Sequence, residues 1–196
     1  MSSIGRKPSL LARLFTLAIG LLAALSSFGQ PKGDGVDDVL QYLPYASVLA
    51  MKAGGVESRH DWPQLAAATV GSWVVAAGVA YTMKHTIREW RPDHSDRRSM
   101  PSGHATFAFA GATVLHHEYG HLSPWVSVAG YGVAAITAAD RVRRDRHHWY
   151  DVCAGAAIGI LSTEACYWLT NRIFRQQPKD VQLAVMPAGL SVQLSL

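Results

Sequence analysis

Gln64 to Met83, QLAAATVGSWVVAAGVAYTM, is the stretch whose reading decides the fold. It holds twenty consecutive residues without Asp, Glu, Lys or Arg. As a helix it is about 30 Å long, the thickness of a bilayer's hydrocarbon core. A second uncharged run goes from Tyr119 to Ala139, and a third, Val152 to Leu169, is interrupted only by Glu164. Val39 to Met51 is a shorter apolar segment containing Pro44, and a further helix is expected from about Gly103 to His117. Ala154-Gly155-Ala156 and Gly159 would let helices approach closely. The expectation is an all-α fold, a compact bundle of about five to six helices embedded in a membrane. A mean hydropathy of only +0.08 and the presence of Glu164 keep a soluble, secreted bundle as the alternative.

Composition narrows the function classes. Hydrophobic residues make up 49% and charged residues 16%, against about 25% charged in an ordinary soluble domain. That excludes a disordered tail and a charged coiled coil. The net charge of +4 is spread over short clusters with no long basic face, which argues against a nucleic-acid partner. Cys153 and Cys166 are thirteen positions apart on one predicted helix. They would point to nearly opposite sides about 20 Å apart, so they read as buried apolar residues and not as a disulfide.

The chain divides into three parts. In residues 1–29, Arg6, Lys7 and Arg13 precede the apolar run Leu14 to Leu25 and the small residues Ser26, Ser27 and Gly29. This is the pattern of a signal peptide or of an uncleaved signal anchor, and both place the chain after Gln30 outside the cytoplasm. The expected domain covers 30–175 and opens with a polar, Gly-rich linker over 30–38. In the tail, 176–196, Val181, Leu183 and Val185, then Leu190, Val192, Leu194 and Leu196, alternate with other residues. That period reads as a short hairpin around Pro187-Ala188-Gly189. With alternating spans, eight basic residues fall inside and ten outside, so only the basic cluster before the first run orients the chain, N-terminus inside.

Two charged loops lie between the apolar helices, the first a polar loop expected from Lys84 to Gly103. The first holds Lys84, then after six residues Arg91-Pro92, and leads into Pro101-Ser102-Gly103-His104. The second holds Arg141, then after five residues His147, and after three more Asp151. Lys84, Arg91 and Arg141 can surround a multiply charged anion, and arginine suits bidentate contact with phosphate oxygens. Ser102 and Gly103 fall where a helix starts, which offers free N–H groups and a positive dipole end. His147 and Asp151 are one helical turn apart, so the carboxylate can fix the imidazole tautomer and leave the other nitrogen as nucleophile or base. His104 adds a second imidazole. Charge stabilisation, a nucleophile and a leaving-group acid are what phosphoryl transfer requires, and this set supplies them without a metal or other cofactor.

In order and spacing these three groups resemble the signature of the type-2 phosphatidic acid phosphatase (PAP2) superfamily, over roughly residues 36–175. The resemblance implies that His147 attacks phosphorus and forms a phosphohistidine, and that Asp151 orients it. It implies that His104 protonates the leaving oxygen and then activates water, while Lys84, Arg91, Ser102, Gly103 and Arg141 hold the phosphoryl oxygens. No metal is implied. Two positions depart from the family's pattern. Asp140 stands where Ser is frequent, and Asp145 where Gly is common; both acids lower the local positive potential or pair with Arg143, Arg144 or Arg146. His148 lacks the i+4 acid that His147 has. His85, His94 and His116 read as surface or interfacial residues, and Arg97 and Arg98 as loop residues.

His117-Glu118-Tyr119-Gly120-His121 also fits the zinc-protease pattern H-E-x-x-H. That chemistry needs both histidines on one continuous helix and a third ligand, and Gly120 and Pro124 would break such a helix. The segment therefore reads as a turn on the face opposite the charged loops. The expected activity is hydrolysis of a phosphate monoester or pyrophosphate. The expected partner is a phosphorylated lipid or small phosphoester, met at a bacterial inner membrane with the site facing the periplasm. A soluble periplasmic acid phosphatase, a vanadate-dependent haloperoxidase and a non-catalytic lipid-binding or transport protein are the alternatives.

Overall fold

The computed structural model describes residues 36–175, 181–186 and 189–194. The signal segment expected over 1–29 lies outside them. Among the described residues, six helices run in chain order: α1 (Val36–Leu40), α2 (Leu43–Ala53), α3 (Trp62–Ile87), α4 (Gly103–Tyr119), α5 (Pro124–Arg143) and α6 (Trp149–Arg175). Strands β1 (Val181–Met186) and β2 (Gly189–Leu194) pair antiparallel, Val181 opposite Leu194 and Met186 opposite Gly189.

The central element is α4, which contacts α2, α3, α5 and α6. Ala105, Ala108, Ala110, Ala112 and Val114 along it are fully buried. Its small residues let neighbours come close, and α6 answers with glycines. A Cβ at Gly155 would lie 2.5 Å from the Ser102 carbonyl oxygen, and one at Gly159 would lie 2.3 Å from that of Thr106. No side chain fits in either place, so the two backbones touch. This contact sets the start of α4 beside the start of α6, and the Ser102 N–H donates to the Asp151 carbonyl at 3.0 Å.

Helix starts follow their sequences. Pro63 and Pro124 stand in the first turns of α3 and α5, and the Ser123 hydroxyl accepts the Trp125 N–H at 3.3 Å. Several boundaries differ from the expectation. Lys84 is not in a loop: α3 runs on to Ile87, with Lys84 and His85 in its last turn. Likewise α5 continues through Arg141 to Arg143. Basic residues favour a helix C-terminus, so the charge does not end the helix. Residues 36–38 are not linker, because Val36–Leu40 is helical with Asp37 and Asp38 in its first turn.

Large apolar side chains face outward. Val70, Val74, Val75 and Val79 on α3, Val128 and Ile136 on α5, and Leu161, Leu169 and Ile173 on α6 are all exposed. α3 and α6 are each long and apolar enough to cross a membrane. The cysteines follow the same rule and correct the expectation of burial: Cys153 is exposed and Cys166 half-buried. Both sit on α6, whose outer face carries these large apolar side chains, and Cys166 leans on Gly71, where a Cβ would lie 3.4 Å from its sulfur.

Candidate active site

Both charged segments and α1 meet at one end of the bundle. The Asp93 N–H donates to the Asp145 carbonyl at 3.2 Å, and Arg146 pairs with the Asp93 carboxylate at 3.0 Å, tying the two segments together. His147 lies between them, just before α6, and its side chain is only 2% exposed. Its Nδ1 is 3.6 Å from Asp151 Oδ2, and its Nε2 is 3.5 Å from Arg91 Nη1. Burial lowers its proton affinity, and the charges of Arg91, Lys84 and Arg141 lower it further, against the opposing pull of Asp151. The imidazole is therefore neutral at pH 7.

The i+4 spacing does not by itself single out His147. His148 Nδ1 is also 3.4 Å from Asp151 Oδ2. What separates the two is their surroundings. His148 is 33% exposed and stacks on Tyr150, whereas His147 faces the cations. Asp151 is fully buried, and its Oδ2 accepts the Ser99 hydroxyl and the His148 N–H, the latter at 2.8 Å. Its Oδ1 and His147 Nδ1 are both buried without a hydrogen-bond partner.

The cations are already oriented. Arg91 donates from Nε to Asp96 at 3.0 Å and from Nη1 to the Arg146 carbonyl at 3.2 Å. Lys84 donates to the Arg98 carbonyl at 2.9 Å. Arg141 is bonded to Asp37, which also holds Arg144 at 2.8 Å. Burial opposes ionisation of Asp37, but the Arg141 hydrogen bond and the charges of Arg141, His104 and Arg144 outweigh it, and its carboxyl stays below the ordinary range. Ser102 is fully buried as the cap of α4, its oxygen 3.5 Å from the Ala105 N–H. Gly103 follows with open space beside its Cα. Of the two departures from the family's pattern, Asp140 pairs with Arg143 at 2.6 Å. Asp145 takes a left-handed backbone, φ 54°.

His104 stands in the first turn of α4, and its Nε2 is 2.5 Å from Asp38 Oδ1 and 3.9 Å from Asp37 Oδ2. Asp37, Asp38 and Ser99 are site residues that the motif reading missed. Two acids opening an apolar run were the only signal for the first pair, and Ser99 had none. Asp37, Asp38 and His104 bring potential metal-ligand atoms within 4.8 Å of one another, as do Glu89, His148 and Asp151. Neither set suits a cation well. Arg141 and Arg144 already neutralise Asp37. Hydroxyl and N–H donors from Ser99, His148 and Tyr150 already engage Asp151 Oδ2 and Glu89 Oε1.

The opposite end of α4 carries the H-E-x-x-H stretch. α4 stops at Tyr119, so His121 lies beyond the helix. His117 pairs with Glu164 at 3.0 Å and stacks on Tyr167. The buried Glu118 accepts from Tyr167 at 2.8 Å, from the His60 ring at 2.9 Å and from the His60 N–H at 3.2 Å.

Comparison with known proteins identifies the family. The PAP2 superfamily model matches residues 62–175. The lipid A 1-phosphatase of Porphyromonas gingivalis is 40% identical over 141 residues, 71% of this chain and 32% of that protein. Lipid phosphate phosphatase 1 of Arabidopsis thaliana is 37% identical over 81 residues, 36% of this chain and 25% of that protein. The chain thus spans about a third or less of these curated relatives. The crystal structure of Aquifex aeolicus LpxE shares the fold, with a TM-score of 0.53 at 20% identity over 76% of this chain and 94% of that one. Since the family model covers more than half of the sequence and includes all three charged motifs, this chain belongs to the PAP2 superfamily.

Proposed function

We propose that this chain is a phosphatase that hydrolyses a phosphate monoester or pyrophosphate of a lipid through a phosphohistidine intermediate. The observation that carries the reading is His147: a buried, neutral imidazole with Asp151 behind one nitrogen and Lys84, Arg91 and Arg141 grouped around it. Nε2, the nitrogen nearest Arg91, is the nucleophile. It attacks phosphorus while the cations, the Ser102 hydroxyl and the Gly103 N–H hold the phosphoryl oxygens. As the P–N bond forms, the P–O bond to the lipid breaks. His104 gives its proton to the leaving oxygen. His104 then takes a proton from water, which attacks phosphorus and releases phosphate, and His147 regains its lone pair. Asp151, 3.6 Å from Nδ1, stabilises the charge that develops on His147. Cationic side chains carry the electrostatic work, so no metal takes part.

The outer surface supports a membrane setting. Trp62 and Tyr81 on α3 are nineteen residues apart, as are Trp149 and Trp168 on α6, and all four are exposed. Nineteen residues of helix rise about 29 Å, so the rings mark two levels separated by one hydrocarbon thickness. One level lies at the His147 end. Lipid head groups would meet the site there, on the periplasmic side of a bacterial inner membrane. The name of the Porphyromonas gingivalis relative makes a lipid A phosphate the first substrate to try.

The test is phosphate release, with EDTA present, from lipid A, phosphatidic acid, a polyprenyl pyrophosphate and p-nitrophenyl phosphate. Release by the native protein and not by His147→Ala is expected, with a lipid preferred. Activity that disappears only on chelation would overturn the metal-free mechanism.

A further inference from the structure

His104 must be protonated to act as an acid, yet its position opposes that. Burial disfavours its charged form, and so do the charge of Arg141 and its place in the first turn of α4, at the positive end of the helix dipole. Asp38, from a segment 66 residues away in sequence, supplies the opposing charge at 2.5 Å from Nε2. Its neighbour Asp37 is fully buried and bonded to both Arg141 and Arg144. Asp37 therefore pins the short helix α1, and α1 presents Asp38 to His104.

We infer that Asp38 is a positioning residue for leaving-group protonation: its carboxylate holds the His104 Nε2–H, fixes the ring and favours its protonated form, so that the other nitrogen delivers the proton. This rests on the phosphatase reading above. In the step itself the P–O electron pair passes to the leaving oxygen, which takes the His104 proton, and Asp38 remains a carboxylate throughout. The site then contains two carboxylate–imidazole pairs with separate tasks, Asp151–His147 for the nucleophile and Asp38–His104 for the acid.

The experiment compares leaving-group release in a single turnover from two probes in detergent micelles. Dodecyl phosphate has a leaving group that needs a proton; p-nitrophenyl phosphate has one that departs without it. Native protein, Asp38→Asn and Asp38→Glu are measured, with His147→Ala as control and melting temperatures for all. For Asp38→Asn, release from dodecyl phosphate should fall by about tenfold or more, while release from p-nitrophenyl phosphate changes less than about threefold. Asp38→Glu should restore much of the loss. An equal loss on both probes means a merely structural role and overturns the inference. Unchanged or faster turnover overturns it too, and faster turnover would mark Asp38 as a plug that substrate must displace. Inactive native protein would overturn the phosphatase reading and this one with it; active native protein with an unaffected variant overturns this one alone.

Discussion

The two ends of α4 each bury a carboxylate against a histidine, about 21 Å apart along the helix from His104 to Glu118. At the far end, every partner is in place. Glu118 has three donors, and His60 is bonded through both ring nitrogens, to Glu118 and, at 2.8 Å, to Asn171. At the near end, His147 Nδ1 and Asp151 Oδ1 are buried and unbonded, with three cations close by. A satisfied buried network stabilises a fold, whereas orphaned polar groups cost stability and persist where a reaction needs them. Residue type alone would not separate the two ends, because each has an acid, imidazoles and a tyrosine.

Removing the proposed nucleophile should separate them most sharply. His147→Ala should lower phosphate release by about 10⁴-fold or more while lowering the melting temperature less than Glu118→Ala does, since the Nδ1 it removes has no hydrogen-bond partner. A variant that melted far lower would mean that His147 supports the fold instead. Arg91→Ala comes next, with turnover expected to fall about 10²- to 10³-fold. A change confined to KM would show that Arg91 binds ground state and transition state equally.

At the far end the expectation reverses. Glu118→Ala leaves three buried or half-buried donors without their acceptor and should destabilise the protein by about 2–4 kcal/mol. Turnover per folded molecule should stay within about threefold of native, as read from activity scaled by the folded fraction. Loss of turnover in fully folded protein would break the contrast.

The smallest expected effect is on pH dependence. The folded protein holds His147 below its ordinary value of 6.5, so the unfolded chain binds the extra proton first as pH falls. Stability should therefore begin to drop as pH falls through about 6.5, and His147→Gln should flatten that slope. On the same ground, the acid limb of kcat/KM should lie below 6.5. A limb at or above 6.5 would show a protonated nucleophile in the free enzyme.

Much of the site was legible because it is local. Lys84 and Arg91, Pro101 to His104, and Arg141, His147 and Asp151 are held by short spacings, and a spacing survives folding. The helical class was legible from uncharged runs for the same reason. Boundaries were less so: Lys84 and Arg141 lie on helices, because a basic residue completes a helix C-terminus as well as it starts a loop. The cysteines were misplaced because burial was assumed along the whole apolar stretch, whereas the outer face of α6 carries large apolar side chains such as Leu161, Leu169 and Ile173, and Cys153 is exposed there too.

By itself the sequence determined the family, the helical class and the candidate cations and imidazoles of the proposed reaction, since each is written in residue types at fixed intervals. Only the tertiary structure decided which imidazole is buried among the cations, which acids reach His104 and Arg141, and that Glu118 belongs to the scaffold. The ties of Asp38 to His104, Asp37 to Arg141 and Glu118 to Tyr167 join residues 66, 104 and 49 positions apart, and they depend on how whole helices pack, as where Gly155 and Gly159 let α6 lie against α4. Sequence spacing carries no record of such contacts, because backbone packing and not the local helix period sets them.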